Sequence, residues 1–150
     1  MRDNGGLSSI VLVMSKTAKS MPEPACPCGS GLPYAGCCAR WHHGAERLRA
    51  PDAQALMRSR YSAFVLDELG YLIDTWHPDT RPAALEPNPA GLKWLGLEVR
   101  EHRQLDPEHA VVEFVARSRW QGRASRQHER SRFERQPDGR WVYVDGESLA

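Results

Sequence analysis

Val112-Glu113-Phe114-Val115-Ala116-Arg117-Ser118-Arg119-Trp120-Gln121-Gly122 is the stretch whose reading decides the architecture. Val112, Phe114, Ala116, Ser118 and Trp120 recur with a period of two and so share one face of a strand. Glu113, Val115, Arg117 and Arg119 take the other face. Gln121-Gly122 is a short connection into a further strand over residues 125–135, Pro137-Asp138-Gly139 is a hairpin turn, and Trp141-Val142-Tyr143-Val144 closes the series. Upstream, Leu95, Leu97 and Val99 alternate in the same way, with Asp106-Pro107-Glu108 as the intervening turn. The C-terminal half reads as a four-stranded antiparallel meander.

Nearer the N-terminus the period lengthens. Behind Pro51-Asp52, residues Ala53, Leu56, Met57, Tyr61, Phe64 and Val65 recur at helical spacing. Gly70 interrupts that helix near Asp67-Glu68. Tyr71-Leu72-Ile73 begins a second segment running to Trp76, and His77-Pro78 ends it, because a residue before proline avoids the helical region. Residues 78–90 hold four prolines and read as loop. Helices first and a meander afterwards predict an α+β fold, with the helices packed on a curved antiparallel sheet.

All four cysteines lie within thirteen residues, Cys26-Pro27-Cys28, eight residues, then Cys37-Cys38. Adjacent cysteines bridge each other only with strain, since a disulfide wants Cα atoms about 5.5 Å apart. Four close thiols in a glycine- and proline-rich loop instead match a closed, tetrahedral structural zinc site. Such a Zn2+ site with four thiolates carries about −2 of charge. Arg40 and the backbone N–H groups of Gly29, Ser30 and Gly31 are candidates to compensate it. His42 or His43 is the alternative to Cys38 as fourth ligand.

The bulk numbers are permissive. A chain of 150 residues makes one ordinary domain, and 20 basic against 19 acidic residues give no overall attraction to nucleic acid or membrane. The longest apolar run, Ile10 to Met14, is far short of the roughly 20 residues a membrane helix needs. Residues 1–21 are expected to be a disordered leader, with Met14 and Met21 as alternative starts. The thiols suit a reducing, cytoplasmic setting.

Residues 26–38 resemble the SEC-C motif, the zinc-binding tail named from the SecA translocation motor, in which the last ligand is Cys or His. Leu56-Met57-Arg58-Ser59-Arg60-Tyr61-Ser62-Ala63-Phe64 resembles the signature of the YchJ-like family of bacterial proteins. Thr75-Trp76-His77-Pro78, His128 to Phe133 and Asp138-Gly139-Arg140-Trp141 are similar to it too. The resemblance spans residues 24–147. It implies a SEC-C knuckle over residues 22–44, followed over 45–150 by a cystatin-like, nuclear-transport-factor-2-like (NTF2-like) cone. By likeness to the SecA tail it also implies an adaptor that meets a protein partner through exposed knuckle residues such as Leu32, Tyr34 and Arg40. It implies no particular reaction.

A cone of this type leaves room for a pocket, for which Arg58, Arg60, Tyr61, Trp76, His77, Trp94, Glu129 and Arg132 are the candidate liners. His77 or Glu129 is the candidate acid or base, and an arginine the candidate receiver of an anion. Arg58 and Arg60 point about 200° apart on a helix, so one is expected in an ion pair with the sheet and the other in solvent. Residues 100–140 hold ten arginines against seven acids. Cross-strand ion pairs account for that pattern, while Trp120 and Phe133 leave an RNA- or ribosome-associated module as a rival. The reading is a zinc-binding adaptor rather than an enzyme. Its alternatives are a ligand-binding or hydrolase/isomerase-type cone and the RNA module.

Overall fold

The computed structural model describes residues 23–149, so the expected leader lies outside the described residues. A 3-10 turn, Tyr34–Gly36, and one short helix, α1 (Ala39–His42), belong to the cysteine segment. Two helices follow, α2 (Ala53–Leu66) and α3 (Leu69–Asp74). Four strands come last: β1 (Lys93–Asp106), β2 (His109–Trp120), β3 (Arg123–Arg135) and β4 (Trp141–Ser148). The sheet is the antiparallel meander β1-β2-β3-β4, so the α+β reading and its element order hold.

Local chemistry sets the boundaries. Asp52 is the N-cap of α2, its carboxylate accepting from the Ala55 N–H at 2.8 Å. The break between α2 and α3 comes from Asp67, which adopts a left-handed φ of 56° and so stops the helix. Gly70 is a correction: it lies inside the first turn of α3 and interrupts nothing. Helix α3 also ends at Asp74, two residues before Trp76, because Thr75–His77 turn aside to pair with β4. There the Tyr143 N–H donates to the Thr75 carbonyl (2.8 Å) and the His77 N–H to the Tyr143 carbonyl (2.7 Å). Between β2 and β3, Gln121 and Gly122 both take positive φ, the two-residue hairpin turn that matches strand twist.

The sheet curls because its edges are bulged. β1 shifts register between Trp94 and Gly96, again between Val99 and Glu101, and once more near Asp106. β4 does so opposite Arg132 and Phe133. Each bulge bends and twists its strand. The first one changes the predicted alternation: Leu95 is the extra residue and is 52% exposed, while Trp94, Leu97 and Val99 face inward. Ala110, Val112, Phe114 and Ala116 of β2 are buried on the concave face as expected, against Leu56, Met57 and Tyr61 of α2.

Helix α2 is buried well beyond the predicted apolar stripe. Ser59 and Ser62 are fully buried although they lie away from the sheet, because the cysteine segment covers that side. Replacing Asp52 by Ala is expected to cost about 1 kcal/mol. Urea unfolding should show a lower midpoint at unchanged slope.

Candidate metal centre and cone cavity

The cysteine segment folds as a loop that closes on itself. Cys26 N–H donates to the Leu32 carbonyl (2.9 Å) and Tyr34 N–H to the Pro24 carbonyl (3.0 Å). Gly29 and Gly31 take φ of 82° and 85°, which reverses the chain between them. All four cysteines become buried and none forms a disulfide. Their sulfurs lie within 4.8 Å of one another, with Cys28 Sγ 3.7 Å from Cys37 Sγ. Sulfurs 2.3 Å from a tetrahedral zinc stand about 3.8 Å apart, so this donor set fits a closed, four-thiolate ion. The thiols share protons unevenly. The Cys38 thiol, hydrogen-bonded to Cys28, leads in lowering Cys28 to about 4, and Ser30 and Cys26 assist against burial. The same contact, with burial, pushes Cys38 up.

Compensation for the thiolates differs in part from the sequence expectation. Ser30 contributes its N–H to Cys28 and its hydroxyl to Cys37 Sγ at 3.1 Å. Gly29 N–H goes instead to the Cys26 carbonyl. Two guanidinium groups sit on the carbonyls of ligand residues: Arg40 Nε donates to Cys37 O and Arg58 Nη1 to Cys28 O, each at 3.0 Å. Arg58 is therefore a half-buried brace between α2 and the metal loop, outside the cone.

The histidine alternatives fall away on geometry. His42 lies 2.8 Å from the Ser59 carbonyl through Nε2 and 2.7 Å from the Tyr34 hydroxyl through Nδ1. A carbonyl only accepts, so Nε2 carries the proton and Nδ1 accepts from Tyr34. Burial lowers His42, consistent with this neutral form. Both nitrogens are used, leaving none for a metal. His43 is exposed and contacts Glu68 at 3.0 Å.

The candidate pocket residues divide. Arg60, Trp76 and Glu129 do line one cavity of about 210 Å³ inside the cone, with Met57, Phe64, Phe114, Gln127, Ser131 and Tyr143. A second hollow of about 280 Å³ shares Met57, Phe64, Phe114 and Gln127 and adds Tyr61 and Trp94. His77 is a correction: pairing with β4 turns its ring to Glu134 (3.3 Å) and to the Asp79 N–H, outside the cavity. Arg132 is another, since it lies on the convex face in a two-pronged pair with Asp145, at 2.7 and 2.6 Å.

Within the cavity Arg60 is only 3% exposed. Its Nη1 donates to the Leu72 carbonyl (2.9 Å) and Thr75 Oγ1 (2.7 Å) at the end of α3. Its guanidinium lies 4.8 Å from the Trp76 ring and 4.7 Å from that of Tyr143. The expected ion pair is absent: among the described residues no carboxylate is within ion-pair distance of Arg60, and desolvation lowers it to about 10. Glu129 accepts from Gln127 (2.8 Å), Ser131 (2.8 Å) and Tyr143 (3.3 Å). Gly146 makes room for that carboxylate, since a Cβ there would overlap it. Gln127, Ser131 and Tyr143 were not among the sequence candidates. A period of two counted back from buried Phe133 through Ser131 and Glu129 to Gln127 is the signal that finds two of them.

Comparison with known proteins follows the same lines. The family model of the middle, NTF2-like domain of YchJ matches residues 52–146. A UPF0225 protein of Bordetella parapertussis is 63% identical over 123 residues, covering 82% of this chain and 92% of that protein. One from Methylibium petroleiphilum is 60% identical over 134 residues, covering 89% and 95%. A crystal structure of a SEC-C motif-containing protein from Psychrobacter arcticus superposes with a TM-score of 0.67 at 30% identity, covering 83% of this chain and 82% of that one.

Two outcomes are expected. Protein purified without added metal should carry about one divalent ion per chain, its four thiols unreactive until a chelator is added; metal analysis with thiol titration checks this, and four freely reactive thiols would contradict it. Gly146→Ala should cost about 1–3 kcal/mol by displacing the Glu129 carboxylate, and adding Glu129→Ala should recover most of that loss in thermal unfolding.

Proposed function

We propose that this chain, which belongs to the YchJ (UPF0225) family and carries that family's middle NTF2-like domain, is a zinc-stapled binding protein whose working site is the cone cavity. Zinc is the metal favoured by four thiolates at tetrahedral spacing, and it serves as structure because a site closed by four protein ligands has no open position. Reduced thiols in that role accord with the cytoplasm. The observation that carries the cavity reading is Arg60: a buried guanidinium against the touching rings of Trp76 and Tyr143, with no carboxylate within ion-pair distance among the described residues.

An unpaired buried cation is costly unless something neutralises it. Carbonyl contacts, ring faces and the charge of Glu129 across the cavity offset part of that cost here, and an anion in direct contact would offset more. Apolar walls from Met57, Phe64 and Phe114 suit a flat hydrocarbon body, so the fitting ligand is a small organic anion. Glu129 sits where a donor on that ligand would meet it. With His77 outside, Glu129 is also the residue on which a hydrolase or isomerase reading would rest.

The adaptor reading keeps one supporting observation. Leu32, at the tip of the cysteine loop, is 50% exposed. Of the other two expected contact residues, Tyr34 is held on His42, whereas Arg40 donates through Nε to the Cys37 carbonyl and stays exposed. Leu32→Asp with unchanged metal content should weaken retention of a protein partner in pull-downs if the knuckle docks one.

Thermal unfolding with benzoate and phenylacetate as probes tests the cavity. The midpoint of the parent should rise with probe concentration. It should not rise in Arg60→Met, nor in Gln127→Trp, which blocks the cavity from β3 without touching the Arg60 contacts. No shift in the parent, or equal shifts in both variants, would refute anion capture in the cone.

A further inference from the structure

The two hollows of the cone lie end to end along one row of the sheet. Glu129, Gln127 and Ser125 are successive inward residues of β3, opposite Phe114, Ala116 and Ser118 of β2. Trp94 of β1 stands opposite Ser118. The hollow of about 210 Å³ occupies the Glu129 end with Arg60, and that of about 280 Å³ reaches Trp94. Both are lined by Met57, Phe64, Phe114 and Gln127, so the two adjoin. From Glu129 to the level of Trp94 the row runs four residues, roughly 13 Å at about 3.3 Å per residue.

The two ends of this passage differ in chemistry. At the first, Arg60 offers a buried guanidinium. At the second the walls are rings: Tyr61 meets Trp94 edge-on at 5.6 Å between centroids, and Phe64 tilts against it at 6.2 Å. Asn88 pins that wall from outside. Its side-chain carbonyl accepts from the Trp94 indole N–H at 3.3 Å, and its amide donates to the Phe64 carbonyl at 2.7 Å. Ala116 follows Phe114 on the inward row of β2, and its single methyl leaves the space facing the rings unfilled. Protein interiors are otherwise close-packed. Aromatic rings favour edge-to-face and offset contacts with one another, so the unfilled space suits a ring better than a saturated chain. A ring that carries its carboxylate directly is too short to meet both ends.

We propose that the ligand of the cone is an arylalkanoate, its carboxylate on Arg60 and its ring in the second hollow, joined by a short methylene chain that passes Gln127. This rests on anion capture by Arg60 and adds a second subsite to it. Ala116 is the residue that admits the ring, and Asn88 is the positioning residue for Trp94.

Calorimetric titration of the full chain with benzoate, phenylacetate, 3-phenylpropionate and 4-phenylbutyrate tests it. Affinity should rise about threefold with each methylene, so that 4-phenylbutyrate binds about tenfold or more tighter than benzoate. Octanoate, similar in length but without a ring, should bind about threefold more weakly than 4-phenylbutyrate. Ala116→Leu fills the second hollow and should cut the advantage of 4-phenylbutyrate over benzoate to about twofold. Asn88→Ala frees the Trp94 ring without filling the hollow, and should lower the same ratio about threefold. A ratio of two ligands within one variant does not respond to a general loss of stability. Benzoate binding with no gain along the series would overturn the second subsite and leave anion capture by Arg60 intact. Octanoate binding as tightly as 4-phenylbutyrate, or an unaltered ratio in Ala116→Leu, would do the same. Failure of every acid to bind would overturn both.

Discussion

Helix α2 has to be covered on two sides, and everything else in the structure answers to that. Its apolar side packs on the concave sheet through Leu56, Met57 and Tyr61. Its other side presents Ser59 and Ser62, which would remain wet in a simple two-layer domain. The cysteine loop covers them, and the contacts are polar and specific: His42 on the Ser59 carbonyl, Cys26 on the Ser62 hydroxyl, and Arg58 on the Cys28 carbonyl. A loop this rich in glycine and proline has little core of its own. Metal binding would therefore be coupled to the order of α2, and through α2 to the floor of the cavity.

The cavity depends on the same helix from the opposite direction. Arg60 extends from α2 to the last carbonyls of α3, where a cation complements the helix terminus, and it holds the ring faces of Trp76 and Tyr143. Trp76 reaches that place because Thr75–His77 leave the helix to pair with β4. Arg58 and Arg60, two residues apart, thus serve opposite sides of one helix: the first braces the metal loop, the second the cone. Their divergence follows from helical geometry alone, but their partners do not.

Much of this was legible in the residues. Period-two runs gave the four strands, helical spacing gave α2, and the bunching of all cysteines gave the donor set. What failed did so for identifiable reasons. Gly70 looked like the helix break, yet Asp67 could adopt the left-handed conformation itself and so took that role. Leu95 looked inward until a bulge inserted it as the extra residue. His77, a polar group on an otherwise apolar element, reads as a candidate acid or base, but strand pairing turns its ring toward Glu134.

The division between the two sources of information is a matter of range. Composition, period and spacing act over a few residues, so the sequence by itself determined the order of helices and strands, the hairpin turns and the four-sulfur cluster. Which side chains meet across the cone is set by strand register, by four shifts in that register and by the docking of the cysteine loop on α2. Those are long-range choices. Only they could place Glu129 beside Gly146, keep every carboxylate of the described residues beyond ion-pair distance of Arg60, and set Lys93 and Arg117 opposite arginines across the sheet while Glu113 met its counter-charges.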